Sequence, residues 1–586
     1  MKETQSERAD DLPVIIHWLK QMEIEKLIDQ ELPPPHGNRQ GLSYGQLAVL
    51  LLTYMTSQAD HRLCAIEPWV ASDHRILEWA TGWKFRVKDA TDDRLADLLK
   101  LLGSDKHFSI ETIETKLGQH LIRAYELPTD QARSDTTSFS VYHQPPEQRD
   151  GESLLNFGYS KDRRPDLVQY RQMLATLDPN GLPLLGATLP GQGADESHYL
   201  PTWRNLAEII GHKNFLFLAD CKASSWDNRA MMDQEGGIYC FPLAMTHPRP
   251  KILSDWIANP PTNIREIIAP DTEDTDSSLG QGFEVPLGSL WFDSDSQQWH
   301  QWSERWLAVC SYSLQERQLK GLSKRLLKAE VALKKLADRP GKDVVILEKK
   351  VTEILKLYRV TDYLVVKIDS KIHYDKVYEG SGRPNANSHF RRVRQTTLSL
   401  TYYRSETEIE AFQALAGWRL YVTNASSERL SLEKAVFSYR EQWQPERGFH
   451  RFKRGRLPAL PIYFQDDQKI RGLMFLLTIA LQVFTLMEFV VRRQLATEKK
   501  SLAGLYEGNP KRTTERPTAE RLLAAFSGIT LYFHRDGSTE ITALNPLQKQ
   551  ILALMKVTES IFYLPEFVVA SEFPKYTKLN QDSQRF

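Results

Sequence analysis

Tyr439, Gln442, Glu446, His450 and Lys453 follow one another at steps of three or four residues within the segment YREQWQPERGFHRFK (residues 439–453). On a helix such steps stack side chains along one face. The segment therefore predicts a helix with one carboxylate in a column flanked by a phenol, an amide and two potential cations. A single acid among cations points to phosphate chemistry. On residue types alone the alternative is a solvated amphipathic helix whose Trp443 and Phe449 plug a core.

Two further acids stand where a strand would carry them. RSDTTSFSVYH (residues 133–143) alternates β-formers and predicts a strand with Asp135, Thr137, Phe139 and Val141 on one face. An aspartate there runs against β propensity, so Asp135 lies either at a solvated edge or in a cleft. Residues 167–178 and 182–191 read as strands joined by a Pro179-Asn180-Gly181 turn, and residues 200–211 read as a helix. NFLFLADCKASS (residues 214–225) reads as a short strand buried on both faces and ending on Asp220. The order β-β-β-α-β puts this acid at the C-terminal end of a strand, where α/β sheets carry their sites. The other role open to Asp220 is that of an N-cap or Asx-turn residue.

Only a fold can gather Asp135, Asp220 and Glu446, which lie far apart in sequence. Three converging carboxylates repel unless cations intervene, and Mg²⁺ takes oxygen ligands of this kind. Two such ions about 3.5–4 Å apart clamp the attacking and leaving oxygens of an in-line phosphoryl displacement. Arg447, Arg451, Lys453, Arg454 and Arg456 would then hold a phosphodiester backbone.

The remaining chain must position these groups. Its 586 residues exceed the usual domain of roughly 100–200 residues, which predicts several domains or one heavily inserted one. Lys plus Arg (75) balances Asp plus Glu (75), so any basic surface is local. Cys64, Cys221, Cys240 and Cys310 form no C-x-x-C pair, which argues against a zinc knuckle or disulfide framework and for a reducing cytoplasm. The N-terminus lacks the apolar core of a signal peptide. GLMFLLTIALQVFTLMEFVV (residues 472–491) approaches membrane-spanning length, but Gln482 and Glu488 favour a buried core helix.

The segments predict a helical N-terminal domain (1–127), suited to DNA binding or dimerisation. A first α/β core segment (128–247) follows, then an intervening region (248–405) with strands, an acidic tract at 270–276 and a charged helical hairpin bent near Arg339-Pro340-Gly341. The pattern closes with a second core segment (406–495) bearing the Glu446 helix and a helical C-terminal region (496–586) with a frayed end.

SDTTSF, then FLAD, then Tyr439-x2-Gln442-x3-Glu446-x6-Lys453 resembles the DDE transposases of bacterial insertion sequences, in the superfamily defined by a Y-x2-R-x3-E-x6-K signature. GYSKDRRPDLVQ (residues 158–169) and GWRLYVTN (residues 417–424) are similar to its longer-chain branch. The resemblance covers about residues 133–491. It implies an α/β fold with an RNase H-like catalytic core, interrupted by a β-rich insertion before the glutamate-bearing helix. It makes Asp135, Asp220 and Glu446 a metal triad for two Mg²⁺ ions, with Mn²⁺ as substitute. It also makes Tyr439 and Lys453 contacts to DNA near the cleaved end.

Gln442 stands where the signature has arginine and brings neither charge nor a bidentate fork. Arg440 or Arg447 would cover that loss, and Trp443 would stack on an extruded base or pack the helix. With His450, Arg451, Arg454 and Arg456 these residues complete the expected DNA surface. The implied partners are double-stranded transposon ends and target DNA, bound by a homodimer in the bacterial cytoplasm, with no membrane and no small-molecule substrate. The implied reaction is hydrolytic cleavage at the element's ends followed by joining of the 3′-hydroxyl to target DNA. The alternatives are a catalytically inactive DNA-binding descendant, a nuclease of the same fold without strand transfer, and a scaffolding protein.

Overall fold

The computed structural model describes residues 5–104, 110–144, 153–268, 278–379, 383, 389–534, 536 and 538–563. The acidic tract at 270–276 and the final dozen residues lie outside the described residues. The fold is mixed α/β. Its two compact units are Met1–Ala219 with Glu441–Phe586, and Asp220–Arg440.

In the first unit, the strands Gln131–Val141, Val168–Leu177, Leu182–Pro190 and Leu216–Leu218 build the sheet around Asp135. Leu182–Pro190 lies outermost, followed by Val168–Leu177 and Gln131–Val141, each antiparallel to its neighbour. Leu216–Leu218 then joins parallel to Gln131–Val141. The predicted turn after Asp178 makes the hairpin between Val168–Leu177 and Leu182–Pro190. One expectation changes. The Asp135 strand does not alternate between core and solvent, because Arg133, Ser134, Thr136 and Ser138 are buried alongside Phe139 and Val141. Alternating β-formers thus reported a strand, whereas helices packed over the sheet decided its burial.

The apolar segment forms the helix Asp467–Glu498, opened by Asp466, whose carboxylate accepts from the N–H groups of Gln468 and Lys469 at 2.9 and 3.1 Å. Every residue from Gly472 to Val491 is buried, so its apolar surface goes into the protein's own interior. Gly472 permits this packing: a Cβ there would come within 2.1 Å of the Leu99 carbonyl oxygen on the neighbouring helix Asp92–Leu102. The N-terminal helices include Leu12–Gln21, Ile24–Glu31 and Tyr44–Gln58, the last opened by a reciprocal Ser43/Gln46 capping box. The terminal regions are not wholly helical. Gln5–Arg8 pairs with Thr530–Phe533, which pairs with Thr539–Ile541. Four polar residues carry no periodic signal, and Gln5–Arg8 is a strand only because a partner from the far end of the chain offers an edge.

In the second unit, Ile238–Pro242, Trp418–Thr423, Gln298–Ser311, Ser278–Asp293 and Arg265–Ile268 follow one another across a sheet whose paired neighbours are antiparallel. The charged hairpin is present as Tyr312–Asp338 and Val344–Tyr358. Its leucines are not merely interspersed among solvated charges. Leu322, Leu326, Leu333 and Leu347 form a core with Leu364, Leu398 and Leu400 of the ribbon Leu364–Tyr378/Phe390–Arg404.

Candidate functional site

The predicted helix over 439–453 is two helices. Leu432–Arg440 carries Tyr439 and ends the second unit; Trp443–Arg454 carries Glu446 and belongs to the first. Pro445 is the cause. It has no N–H to donate to the carbonyl of residue 441, and its ring clashes with that carbonyl, so it is tolerated only in a first turn. The column of five side chains along a single helix is therefore corrected: only Glu446, His450 and Lys453 share one. Tyr439 meets the Tyr421 ring edge-on at 5.0 Å, and Arg440 lies exposed over Phe437.

Within the first unit, Asp135 and Glu446 line one cleft of about 440 Å³. Asp135 comes from the middle of its strand, half-buried between buried Ser134 and Thr136, and one carboxylate oxygen accepts from the Thr136 N–H at 2.8 Å. Glu446 is exposed in the first turn of its helix, where the helix dipole favours an acid. Gly448 lets this helix approach the core helix and the sheet: a Cβ there would lie 2.9 Å from Leu481 of the former and 3.3 Å from Leu174 of the latter.

Thr136, Thr137 and Phe449 complete the lining together with basic side chains. Lys161, His450, Lys453 and Arg454 line the cleft. Lys453 pairs with Asp162 at 2.9 Å and lies 5.4 Å from the centre of the Phe139 ring. Lys161 donates to the Thr136 carbonyl oxygen, and its backbone N–H donates to Ser138 at 3.1 Å. The loop bearing Lys161 and Asp162 is thus fastened along the Asp135 strand. Sequence reasoning missed both residues, since a basic loop has no periodicity; the only signal was their place in GYSKDRRPDLVQ.

Asp220 opens the second unit as the N-cap of a short turn, Cys221–Ser224, and accepts from the Lys222 N–H at 2.9 Å. The capping role left open by the sequence is therefore filled. The carbonyl at the end of that turn, on Ser224, accepts from Arg229 at 3.1 Å. Arg229 is buried against Glu304, which also accepts from Tyr239 and Ser289. In the first unit, the parallel register pairs Gln131, Ala132 and Arg133 with Leu216, Phe217 and Leu218. Asp135 and Asp220 each lie two residues beyond the last of those pairs.

The expected DNA contacts divide. His450, Arg454 and Arg456 are exposed, although Arg456 donates to the Ser57 carbonyl at 2.7 Å. Trp443 is 47% exposed, so it does not plug the core, whereas Phe449 does. Arg451 is corrected: it is buried and bonded to Glu488 and Glu520, and is no surface contact. Arg447 also binds Glu488, at 2.8 Å. Glu488, fully buried on the core helix, further accepts from Arg492 and from the Ala519 N–H, each at 2.9 Å. This cluster ties the Glu446 helix to the core helix. Both side-chain amide atoms of Gln442 are buried without a hydrogen-bond partner, an arrangement that costs free energy unless another group completes it.

Among the described residues no group of three or more His, Cys, Asp or Glu is gathered to hold a metal ion. The cleft's two carboxylates are hard oxygen donors, and Mg²⁺ is commonly held by one or two carboxylates plus phosphate oxygens. The donor set fits that ion. No protein-family model matches this chain, and no curated protein matches it.

Proposed function

We propose that this chain is a DNA transposase of the DDE type, using Asp135, Asp220 and Glu446 for metal-dependent phosphodiester cleavage and strand transfer. The observation that carries the reading is the shared cleft: carboxylates from a central strand and from a separate helix open on one space walled by Lys161, His450, Lys453 and Arg454. Support comes from the β-β-β-α-β order, with its three antiparallel strands and one parallel strand, which suits an RNase H-like core interrupted by an insertion.

Asp135, Asp220 and Glu446 would hold Mg²⁺ or Mn²⁺, two ions per site, which when bound supply Lewis-acid activation and charge neutralisation. The protein's own part is positional. Asp135 is placed by a sheet, and the Glu446 helix is locked to the core helix through Glu488, so the backbones that carry both carboxylates are set before loading. Lys453, braced by Asp162 and Phe139, and Lys161, braced by the strand, present charge to the scissile phosphate. Arg454 extends that charge along the backbone, His450 adds a ring nitrogen for hydrogen bonding, and the duplex ends would be held by two copies of the chain. The test is nicking of DNA carrying the terminal inverted repeats of the chain's own element. Mg²⁺ should support a nick that Asp135→Asn, Asp220→Asn and Glu446→Gln each abolish. Normal cleavage by any variant removes that residue from the site.

One observation favours a second reading, a DNA-binding descendant without catalysis: the Asp220 carboxylate already caps a turn. Repeat-specific binding with no cleavage in Mg²⁺ or Mn²⁺ would select it.

A further inference from the structure

The second unit buries an ion pair beside the turn that Asp220 caps: Arg229, on the helix Trp226–Gln234, is 1% exposed, and Glu304, on the strand Gln298–Ser311, is 2% exposed. We propose that Arg229 and Glu304 are positioning residues, which fix this turn and so aim the Asp220 carboxylate. The role presupposes that Asp220 binds the metal, as under the proposed function, and adds what holds that acid in place.

The bonds run in series. One Asp220 carboxylate oxygen accepts from the Lys222 N–H at 2.9 Å, and the Asp220 carbonyl accepts from the Ala223 N–H at 3.1 Å. Ser224, which ends the turn, donates its hydroxyl to the Cys221 carbonyl at 2.7 Å, while its own carbonyl accepts from Nε of Arg229 at 3.1 Å. Nη1 of Arg229 binds both oxygens of Glu304. Glu304 accepts further from Tyr239 on the strand Ile238–Pro242 and from Ser289 on Ser278–Asp293, the latter at 2.6 Å. Burial, with the Glu304 charge second, pushes the Tyr239 phenol up, so it stays a donor. Three strands thus grip one guanidinium, and its Nε edge holds the turn.

Stability does not account for the pair. Taking two charges out of water costs about what their attraction returns, and an apolar pair of similar volume is often as stable or more so. What an apolar pair lacks is direction. A guanidinium held by a carboxylate donates along a fixed line, and here that line ends on the Ser224 carbonyl. Cys221 and Lys222 at the start of the turn are exposed, whereas Ala223 and Ser224 at its end are buried, so the turn is held from the side that Arg229 reaches. Capping and metal binding are compatible in one carboxylate, whose two oxygens offer about four acceptor sites. Ligating carboxylates are themselves hydrogen-bonded, and loss of such outer partners lowers metal affinity about 10–100-fold.

The test is Mn²⁺ binding to the full-length chain, read by electron paramagnetic resonance, beside thermal unfolding. Arg229→Met combined with Glu304→Gln removes both charges and leaves Tyr239 and Ser289 an amide to bond. This paired variant should keep the wild-type unfolding transition yet bind Mn²⁺ about 10–100-fold more weakly. Asp220→Asn should bind at least as weakly. If the paired variant does not fold, Arg229→Lys, which keeps the charge beside Glu304, takes its place with the same expected loss of Mn²⁺ affinity. Wild-type Mn²⁺ affinity in the folded variant, with Asp220→Asn impaired, overturns the positioning role and leaves Asp220 in the site. Wild-type affinity in Asp220→Asn defeats the metal reading of Asp220 and this role with it.

Discussion

Arg451→Met separates a strut from a DNA contact. The Arg451 side chain is 4% exposed and donates through Nε to Glu520 at 2.7 Å, through Nη2 to Glu520 at 3.1 Å, and to Glu488, which is fully buried. Methionine fills similar space but leaves Glu488 with Arg447, Arg492 and the Ala519 N–H, and strips Glu520 of its arginine. Glu488 stays paired and Glu520 is partly exposed, so the loss is that of hydrogen bonds to a charged group, about 1.5–3 kcal/mol. At about 2–4 °C per kcal/mol for a unit of a few hundred residues, the melting temperature should fall by about 3–12 °C. The assay is thermal unfolding, paired with duplex binding over a salt series below the transition. The salt slope of Arg451→Met should match wild type, whereas exposed Arg454→Met should reduce it by about 0.9. A variant of wild-type stability with a reduced salt slope would refute the buried cluster and put Arg451 on DNA.

Other outcomes follow from single contacts. Burial pushes the Glu114 carboxyl well above the usual carboxylate range, against one N–H from Gly186 at 2.8 Å. A raised acid contributes stability below its unfolded value that is lost as pH rises toward the folded value. Glu114→Gln should therefore gain on wild type in urea midpoint from about pH 5 to pH 8, and a constant difference would discard the buried proton. Arg229→Lys keeps its charge beside Glu304 but loses the fork that reaches Ser224, so nicking should need more Mg²⁺; an unchanged Mg²⁺ titration would detach that turn from Asp220's role. Gln442→Arg should tighten binding to the cleaved end in competition assays by restoring a guanidinium. Equal or weaker affinity would show that the buried amide position does not face a phosphate.

Local chemistry was legible in the sequence, and long-range partnership was not. The turn at Pro179-Asn180-Gly181 and the strand ending before Asp220 each announce themselves within a few residues. So does the hairpin bend at Pro340. The break before Trp443 was also written locally, in Pro445, but the three-and-four spacing of attractive side chains drew attention past it. Arg451 looked like a DNA contact because a basic helix face reads as solvated. Its partner Glu488 lies on another helix, in an apolar run where it counted only against a membrane span.

The most direct test of the central claim is a change of metal preference. Asp135→Cys and Glu446→Cys replace hard oxygen with a softer thiolate, which disfavours Mg²⁺ more than Mn²⁺. Nicking of the element's ends should vanish in Mg²⁺ for both variants and return in part with Mn²⁺, while the wild type uses either ion. Undiminished cleavage in Mg²⁺, or no Mn²⁺ rescue in variants that still bind the ends, would contradict a metal site built on these two carboxylates.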